Sequence, residues 1–418
     1  MCTTILLGRN RSTTGHVILA HSEELGRNSA HRVSVVGARE PEPGDRFLLH
    51  SSGGLEQPAR TARYLATRIF NKRHYPGDHT SGINEHGVAV ANNMAMMRGV
   101  PAERMYDVVP GGIIWTEFLQ LVLERATTAS EGAQLVGQLS ETHGLSCDSG
   151  TMIAIADPEE AWWVELARGG HWAARRVGDD EISVRANCYR IGACEPGGFD
   201  FAAALGDPAN QQDRYNLDRH DMLEARVAPL PTLGVPELMA LLRDVYEGTP
   251  LYRTRPDGSP FRTEVRTVAR MNTEAAVVLE PRRGLPPSVA HRMWCCLSTS
   301  LTGVFVPFHL GIHRVERHYA TAGGRYSPDS AYWLFTELAK LVDCRYPACA
   351  ELVRNTWRRF EAETRPELAV LEARCLEAGE AASLDLVTRF DDRRAADAVR
   401  ALEDLLVEVK TRAFYEDS

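Results

Sequence analysis

The second residue of the chain is a cysteine, and it opens a β-branched and apolar run, Thr3-Thr4-Ile5-Leu6-Leu7. A methionine ahead of a small residue is a substrate for removal, and loss of Met1 leaves a thiol and a free α-amine on one residue. Such an amine titrates at about 7.7–8.0, so near neutral pH a useful fraction accepts a proton. Nucleophile and general base then share a residue, held in geometry by the strand that follows. The chemistry this suits is nucleophilic catalysis.

A sheet must hold that residue in place. Thr3–Gly8 and His16–Ala20 are short apolar runs around the turn signal Ser12-Thr13-Thr14-Gly15, which predicts a hairpin. Arg32–Gly37 is a further β-branched run. Ser81–Met94 repeats the hairpin logic, with Asn84-Glu85-His86-Gly87 as the turn and Gly87–Ala91 as the returning strand. From Ile113 to Leu139 the spacing turns helical. Trp115, Phe118, Leu119, Val122 and Leu123 share one face, and a second helix is expected after Ser130. Residues 151–190 read as a four-stranded meander making a sheet of its own. Residues 193–232, rich in Gly, Pro, Asp and Asn, read as a long surface excursion. Strand-like runs return at Ala275–Leu279, Met293–Leu297 and Val304–Leu310. From Ser327 the period is helical, headed by Leu334, Leu338 and Leu341 and closed by Ala395–Leu406. The pattern predicts one α+β domain with stacked sheets and a helical C-terminal extension.

The opening Cys2-Thr3-Thr4-Ile5-Leu6-Leu7-Gly8 resembles the mature start of the N-terminal-cysteine dipeptidases, a family that includes dipeptidase A and the secernins. More distantly it resembles the bile salt hydrolases and penicillin V acylases, which are also N-terminal nucleophile hydrolases. The resemblance continues at Ser81-Gly82-Ile83-Asn84-Glu85-His86-Gly87-Val88-Ala89, similar to a G-[IM]-N-E-x-G-[LV] hairpin. It recurs at Ile155-Ala156-Asp157 with Ala161-Trp162-Trp163-Val164-Glu165, and in Arg176-Val177-Gly178-Asp179-Asp180 running towards Ala186-Asn187. Tyr246-Glu247-Gly248-Thr249-Pro250, Val304-Phe305-Val306-Pro307-Phe308 and Asp329-Ser330-Ala331-Tyr332-Trp333 follow in family order.

The resemblance implies an α+β fold, a four-layer αββα N-terminal nucleophile hydrolase sandwich. It implies a catalytic domain over residues 2–315 and a helical extension over residues 316–418, packed on the same domain. It makes Cys2 the nucleophile. Asn92 or Asn93, with the register open by one residue, becomes a donor to the tetrahedral oxyanion, and Asn187 matches the asparagine beside the nucleophile in the distant acylases. One segment departs. Relatives carry [RK]-N-x-D ending nine residues after the hairpin glycine, and counting from Gly15 this chain has His21-Ser22-Glu23-Glu24. Glu24 keeps a carboxylate that can anchor an α-ammonium, one methylene longer. His21 replaces the cation near the thiol, with a charge that depends on pH.

Composition narrows the partners. Lys+Arg number 47 against 56 Asp+Glu, a formal net charge of −9, which argues against a broad grip on nucleic acid or anionic membrane. No run approaches the roughly 18–20 apolar residues of a bilayer span. Nine cysteines are an odd count, too sparse for a secreted disulfide scaffold, and a cytoplasmic location with reduced thiols is expected. Cys147 reads as a buried thiol, Cys295-Cys296 as core, and Cys344 with Cys349 lacks a second ligand pair for zinc. There is no HExxH, P-loop or strand-borne G-x-G-x-x-G, so neither cofactor nor metal is expected. Consecutive Trp162 and Trp163 should face opposite sides of a strand.

The expected function is a cysteine N-terminal nucleophile amidohydrolase or dipeptidase acting on a small amide or peptide, with self-association left open. Two alternatives stand: an acyl- or aminoacyl-transferase, motivated by the altered His21–Glu24 segment, and a non-catalytic secernin-like binding protein.

Overall fold

In the computed structural model the described residues are 2–24, 29–51, 53–70, 76–101, 104, 107, 109–192 and 199–415. Met1 and Cys194 lie outside them. In chain order the early strands are β1 (Thr3–Leu7), β2 (Ile18–Glu23), β3 (Ala30–Val36), β4 (Arg46–Leu48), β5 (Gly54–Glu56), β6 (Tyr64–Phe70), β7 (Pro76–Asn84) and β8 (Ala89–Ala95). Then come β9 (Gly150–Ala156), β10 (Ala161–Leu166), β11 (Trp172–Val177), β12 (Ile182–Arg185), β13 (Ala275–Glu280), β14 (Arg292–Leu297) and β15 (Val306–His309).

Two antiparallel sheets carry the fold. One has six strands in the order β12-β1-β2-β13-β14-β15, the other seven in the order β11-β10-β9-β8-β7-β6-β3. They lie face to face, and strand periodicity shows how. On β9, Met152, Ala154 and Ala156 join the core between the sheets, while Ile153 and Ile155 join the core beneath the outer helices. Helices Trp115–Arg125 and Ala129–His143 cover that outer face, with Phe118, Leu119 and Val122 fully buried. Helices Ala331–Cys344, Tyr346–Glu377 and Glu380–Tyr415 stand on the other side. Asp391 on the last of these accepts from the backbone N–H of His309 at 2.6 Å and meets its Nδ1 at 2.8 Å, tying that helix to β15. The layers run helix, sheet, sheet, helix, as the resemblance implies. Trp163 is fully buried between the sheets and Trp162 packs half-buried towards the outer helices, the expected split.

Two expectations fail. Residues 151–190 do not make a sheet of their own: β9–β11 extend the seven-stranded sheet from β8, and β12 crosses to pair with β1. The turn at Gly178–Glu181 redirects the chain, with Gly8 N–H donating to Glu181 O at 2.8 Å and Asn10 N–H to Asp179 O at 3.0 Å. Without this pairing β1, the strand behind Cys2, would present an open edge. Nor are residues 193–232 a surface excursion throughout. Helices Phe201–Leu205, Pro208–Gln211 and Arg214–Val227 occupy most of the described part. The aspartates that read as loop are N-caps: Asp200, Asp207 and Asp213 accept from the backbone N–H groups of Ala203, Asn210 and Tyr215. Asn216, Arg219, Leu223 and Val227 form the buried face of the longest of the three.

No helix among the described residues is long and apolar enough to cross a membrane.

Candidate active site

Cys2 sits at the head of β1, 3% exposed, where the two sheets meet. Its Sγ donates to Glu23 Oε1 at 3.2 Å. Burial, and then the charge of Glu23, push the thiol pKa far above its ordinary range, so the resting group is S–H and must be deprotonated as it attacks. Burial opposes the charge on Glu23 as well, but the hydrogen bond and charge of His21 outweigh it and hold this carboxyl below its usual range. A carboxylate therefore stands at hydrogen-bond distance from a neutral thiol.

The strand period explains why Glu23 holds this place. His21 and Glu23 are two apart on β2 and share a face, and His21 Nε2 lies 3.2 Å from Glu23 Oε2. Glu24, at the strand's end, lines the cavity beside the thiol. Thr273 Oγ1 donates to its Oε1 at 3.0 Å, and Arg270 Nη1 stands 3.7 Å from its Oε2. Behind His21, Thr4 is its cross-strand partner. Thr4 Oγ1 lies 2.7 Å from His21 Nδ1 and donates to Asn93 Oδ1 at 2.5 Å. His21 thus touches Glu23 and Thr4 and lies one layer behind the cavity wall. His31, 0% exposed, is held down to about 4 by burial and stays neutral beside this group.

Adjacent asparagines on β8 must diverge, and they do. Asn93 turns between the sheets, where its Nδ2 reaches the carbonyls of Cys2 (3.2 Å), Arg185 (3.2 Å) and Ala186 (2.9 Å). Every hydrogen it has is committed to holding β1 and β12 in place. Asn92 borders the cavity; its Nδ2 is 3.5 Å from Thr151 Oγ1, and its Oδ1 has no hydrogen-bond partner among the described residues. Asn187 also lines the cavity, with Nδ2 donating to Met94 O and Oδ1 accepting from Arg219, both at 2.8 Å. The cavity itself measures about 30 Å³, room for a water molecule.

Two residues of this site went unnoticed in the sequence. Glu23 occupied the x of a four-residue pattern. Arg219 lay in the stretch read as surface, yet it is 1% exposed. Its Nη1 donates to Cys2 O at 3.0 Å and Thr3 Oγ1 at 3.2 Å, and its Nη2 to Asn187 Oδ1 and Asn216 Oδ1 at 2.8 and 2.9 Å. The spacing Asn216, Arg219, Leu223, Val227 was the available signal. Cys147 is buried and its thiol pKa is raised, as for Cys2, but it lies outside this cavity and its Sγ donates to the Ser149 carbonyl at 3.0 Å, where Cys2 meets a carboxylate.

Glu165 on β10 anchors the segment after Asn187, accepting from the backbone N–H of Arg190 at 2.7 Å and of Ile191 at 3.1 Å. Burial pushes its pKa from 4.5 up to about 7. A raised carboxyl holds its proton more tightly folded than unfolded, so its contribution is full below the unfolded value and is lost as pH rises to the folded one. The loss approaches about 3 kcal/mol at about 1.4 kcal/mol per pKa unit. Glu165→Gln should therefore flatten the fall in stability between about pH 5 and about pH 8, which urea unfolding at both pH values measures.

The fold and the site define a class: a helix–sheet–sheet–helix sandwich with a buried thiol at the head of a central strand and asparagine side chains around it. The chain belongs to Peptidase family C69, whose sequence profile matches residues 1–204 and 216–359. It is similar to "Dipeptidase" of Bifidobacterium longum (strain NCC 2705), 32% identical over 87% of this chain and 80% of that relative. It is also similar to "Probable dipeptidase B" of Lactococcus lactis subsp. lactis (strain IL1403), 25% identical over 97% of this chain and 94% of that relative. A mutant conjugated bile acid hydrolase from Clostridium perfringens superposes with a TM-score of 0.43 at 13% identity, covering 74% of this chain and 92% of its own, an overlap too loose to argue from.

Proposed function

We propose that the protein is a cysteine amidohydrolase that cleaves a dipeptide or similar small amide through a Cys2 thioester. One observation carries the reading: the Cys2 thiol, at the head of a central strand, donates to an ionised carboxylate at 3.2 Å and opens on a cavity bordered by Asn92 and Asn187. Family membership and the dipeptidase names of its relatives support the substrate class.

With Met1 removed, the α-amine of Cys2 takes the thiol proton as sulfur attacks the carbonyl, and Glu23 stabilises the charge that develops on that amine. The amine then protonates the departing nitrogen, and water attacks the thioester by the reverse route. Asn92 serves the oxyanion, because the residue borders the cavity and its Nδ2 is only weakly engaged, 3.5 Å from Thr151 Oγ1, whereas Asn93 is spent on backbone carbonyls. Glu24 receives the substrate's α-ammonium, held in place by Thr273 and Arg270.

These roles separate by mutation. Asn92→Ala should lower kcat by about 10²–10³-fold with little change in stability. Asn93→Ala should instead lower the melting temperature, since it removes the donor that the Cys2, Arg185 and Ala186 carbonyls share, of which Cys2 O keeps Arg219.

The primary test is intact-protein mass spectrometry of the N-terminus, followed by a dipeptide panel with and without an added amine acceptor. Loss of Met1, a free Cys2 amine and release of free amino acids support the reading. A retained Met1 or a blocked amine overturns it. A new amide formed only with the added amine would identify an acyltransferase.

A further inference from the structure

Three side chains of different chemistry converge behind the thiol. Cys2 Sγ, a ring nitrogen of His21 and a Glu23 carboxylate oxygen all lie within 4.8 Å of one another, and all three residues are buried. The separations Sγ–Oε1 and Nε2–Oε2 are each 3.2 Å. Tetrahedral zinc, with bonds of about 2.3 Å to sulfur and about 2.0–2.1 Å to nitrogen and oxygen, sets its ligands about 3.3–3.6 Å apart. The two separations are close to that spacing, and all three groups lie within 4.8 Å of one another.

The hydrogen-bond network settles which atom His21 offers. Asn93 Nδ2 faces three carbonyl oxygens, so its Oδ1 must accept, and Thr4 Oγ1 supplies that hydrogen. Thr4 Oγ1 must then accept in turn, which assigns a hydrogen to His21 Nδ1. Nε2, which shares a hydrogen with Glu23 Oε2 in the metal-free site, is then the nitrogen that coordinates once an ion displaces that hydrogen. Metal-binding imidazoles are oriented this way, by an outer hydrogen bond on the other nitrogen. Thr4 and His21 are also direct cross-strand partners, so the ring is fixed by the β1–β2 register.

Charge favours a divalent ion. A thiolate and a carboxylate together neutralise it, so the buried group becomes uncharged overall, and a mixed sulfur, nitrogen and oxygen set suits zinc. Cys2 and Glu23 also line the cavity of about 30 Å³ beside Asn92 and Asn187, which has room for one water as a fourth ligand.

We propose that Cys2, His21 and Glu23 form a zinc-binding site, and that a bound ion silences the thiol. In the exchange, Zn²⁺ forms a bond to Sγ and the thiol hydrogen leaves to solvent as a proton; any hydrogen on Nε2 leaves likewise. No electron is transferred. Inhibition rests on the proposed role of Cys2 as nucleophile, whereas binding does not.

The test uses the full chain carrying Cys344→Ser, since Cys344 is an exposed thiol, with Co²⁺ as spectroscopic probe and Zn²⁺ as competitor. One Co²⁺ per chain should give a thiolate-to-cobalt charge-transfer band with the intense visible bands of tetrahedral cobalt, and Zn²⁺ should abolish both. Zn²⁺ should also slow alkylation of Cys2, followed by mass mapping, by at least about tenfold. His21→Ala and Glu23→Gln should each weaken binding by at least about 10–100-fold, the loss that follows even from removing a ligand's outer hydrogen-bond partner. Absence of the charge-transfer band in the unsubstituted site overturns the proposal even if a variant fails to fold. Unchanged affinity in both variants overturns it too. Because these readouts need no substrate, a chain that binds cobalt through the thiolate yet cleaves no dipeptide retains the site and loses only the hydrolase reading.

Discussion

Cys2→Ala should abolish turnover of every dipeptide that the parent cleaves, by about 10³–10⁶-fold, the range expected when a covalent nucleophile is removed. The substitution isolates chemistry from folding unusually well. Among the described residues the thiol's side-chain partner is Glu23, beside a backbone contact at Glu24, and that carboxylate keeps His21 as a partner when the sulfur is gone. The backbone carbonyl of residue 2, which Asn93 and Arg219 hold, is unaffected by the side chain. Stability should accordingly change by no more than about 1 kcal/mol. Two measurements check this: an acyl-enzyme adduct trapped by acid quench must appear in the parent and vanish in the variant, and the melting temperatures must agree. Retained turnover would rule out Cys2. It would not promote Cys147, whose thiol lies outside the cavity and donates to a backbone carbonyl.

The sequence reveals this site unevenly, for physical reasons. Cys2 is legible because a nucleophile with its own amine needs no partner from elsewhere in the chain. The β1–β2 and β7–β8 hairpins are legible because turn chemistry and apolar runs are local signals, and the pair Asn92–Asn93 follows directly from one of them. Deciding between those two asparagines requires knowing which face of β8 looks into the sandwich. Residue 91 points between the sheets and residue 90 towards the helices, so Asn93 inherits the inner face. The same parity separates Glu23 from Glu24. A pattern read by position gave Glu24 the carboxylate role, yet the two-residue period of β2 carries Glu23 to the thiol beside His21. The crossing of β12 was invisible because its turn resembles any other hairpin turn. Only the unpaired edge of β1, a non-local fact, recruits it.

Arg219 is the other residue that a local reading misses, and its replacement should be nearly as costly to activity. Its five N–H groups meet five acceptors: Cys2 O, Thr3 Oγ1, Asn187 Oδ1, Asn216 Oδ1 and Tyr215 O. Among the described residues no carboxylate pairs with it. A buried cation with only neutral partners contributes little net stability, because the cost of desolvating the charge offsets its hydrogen bonds. What it does supply is geometry and field. One planar fork fixes the Cys2 carbonyl and the Asn187 carboxamide relative to each other, and its charge stands behind Asn187, which lines the cavity. Arg219→Met removes both contributions and should lower kcat by about 10²-fold or more, the cost of displacing catalytic groups by about an ångström. Arg219→Lys decides which contribution dominates. A single ammonium cannot span Cys2 O, Asn187 Oδ1 and Asn216 Oδ1 at once, so if the fork matters most, the lysine variant should fall nearly as far as methionine. Recovery of most of the lost kcat in Arg219→Lys, at unchanged KM, would instead place the effect in the charge. The expected result is no recovery, because Asn187 depends on that fork for its orientation at the cavity wall.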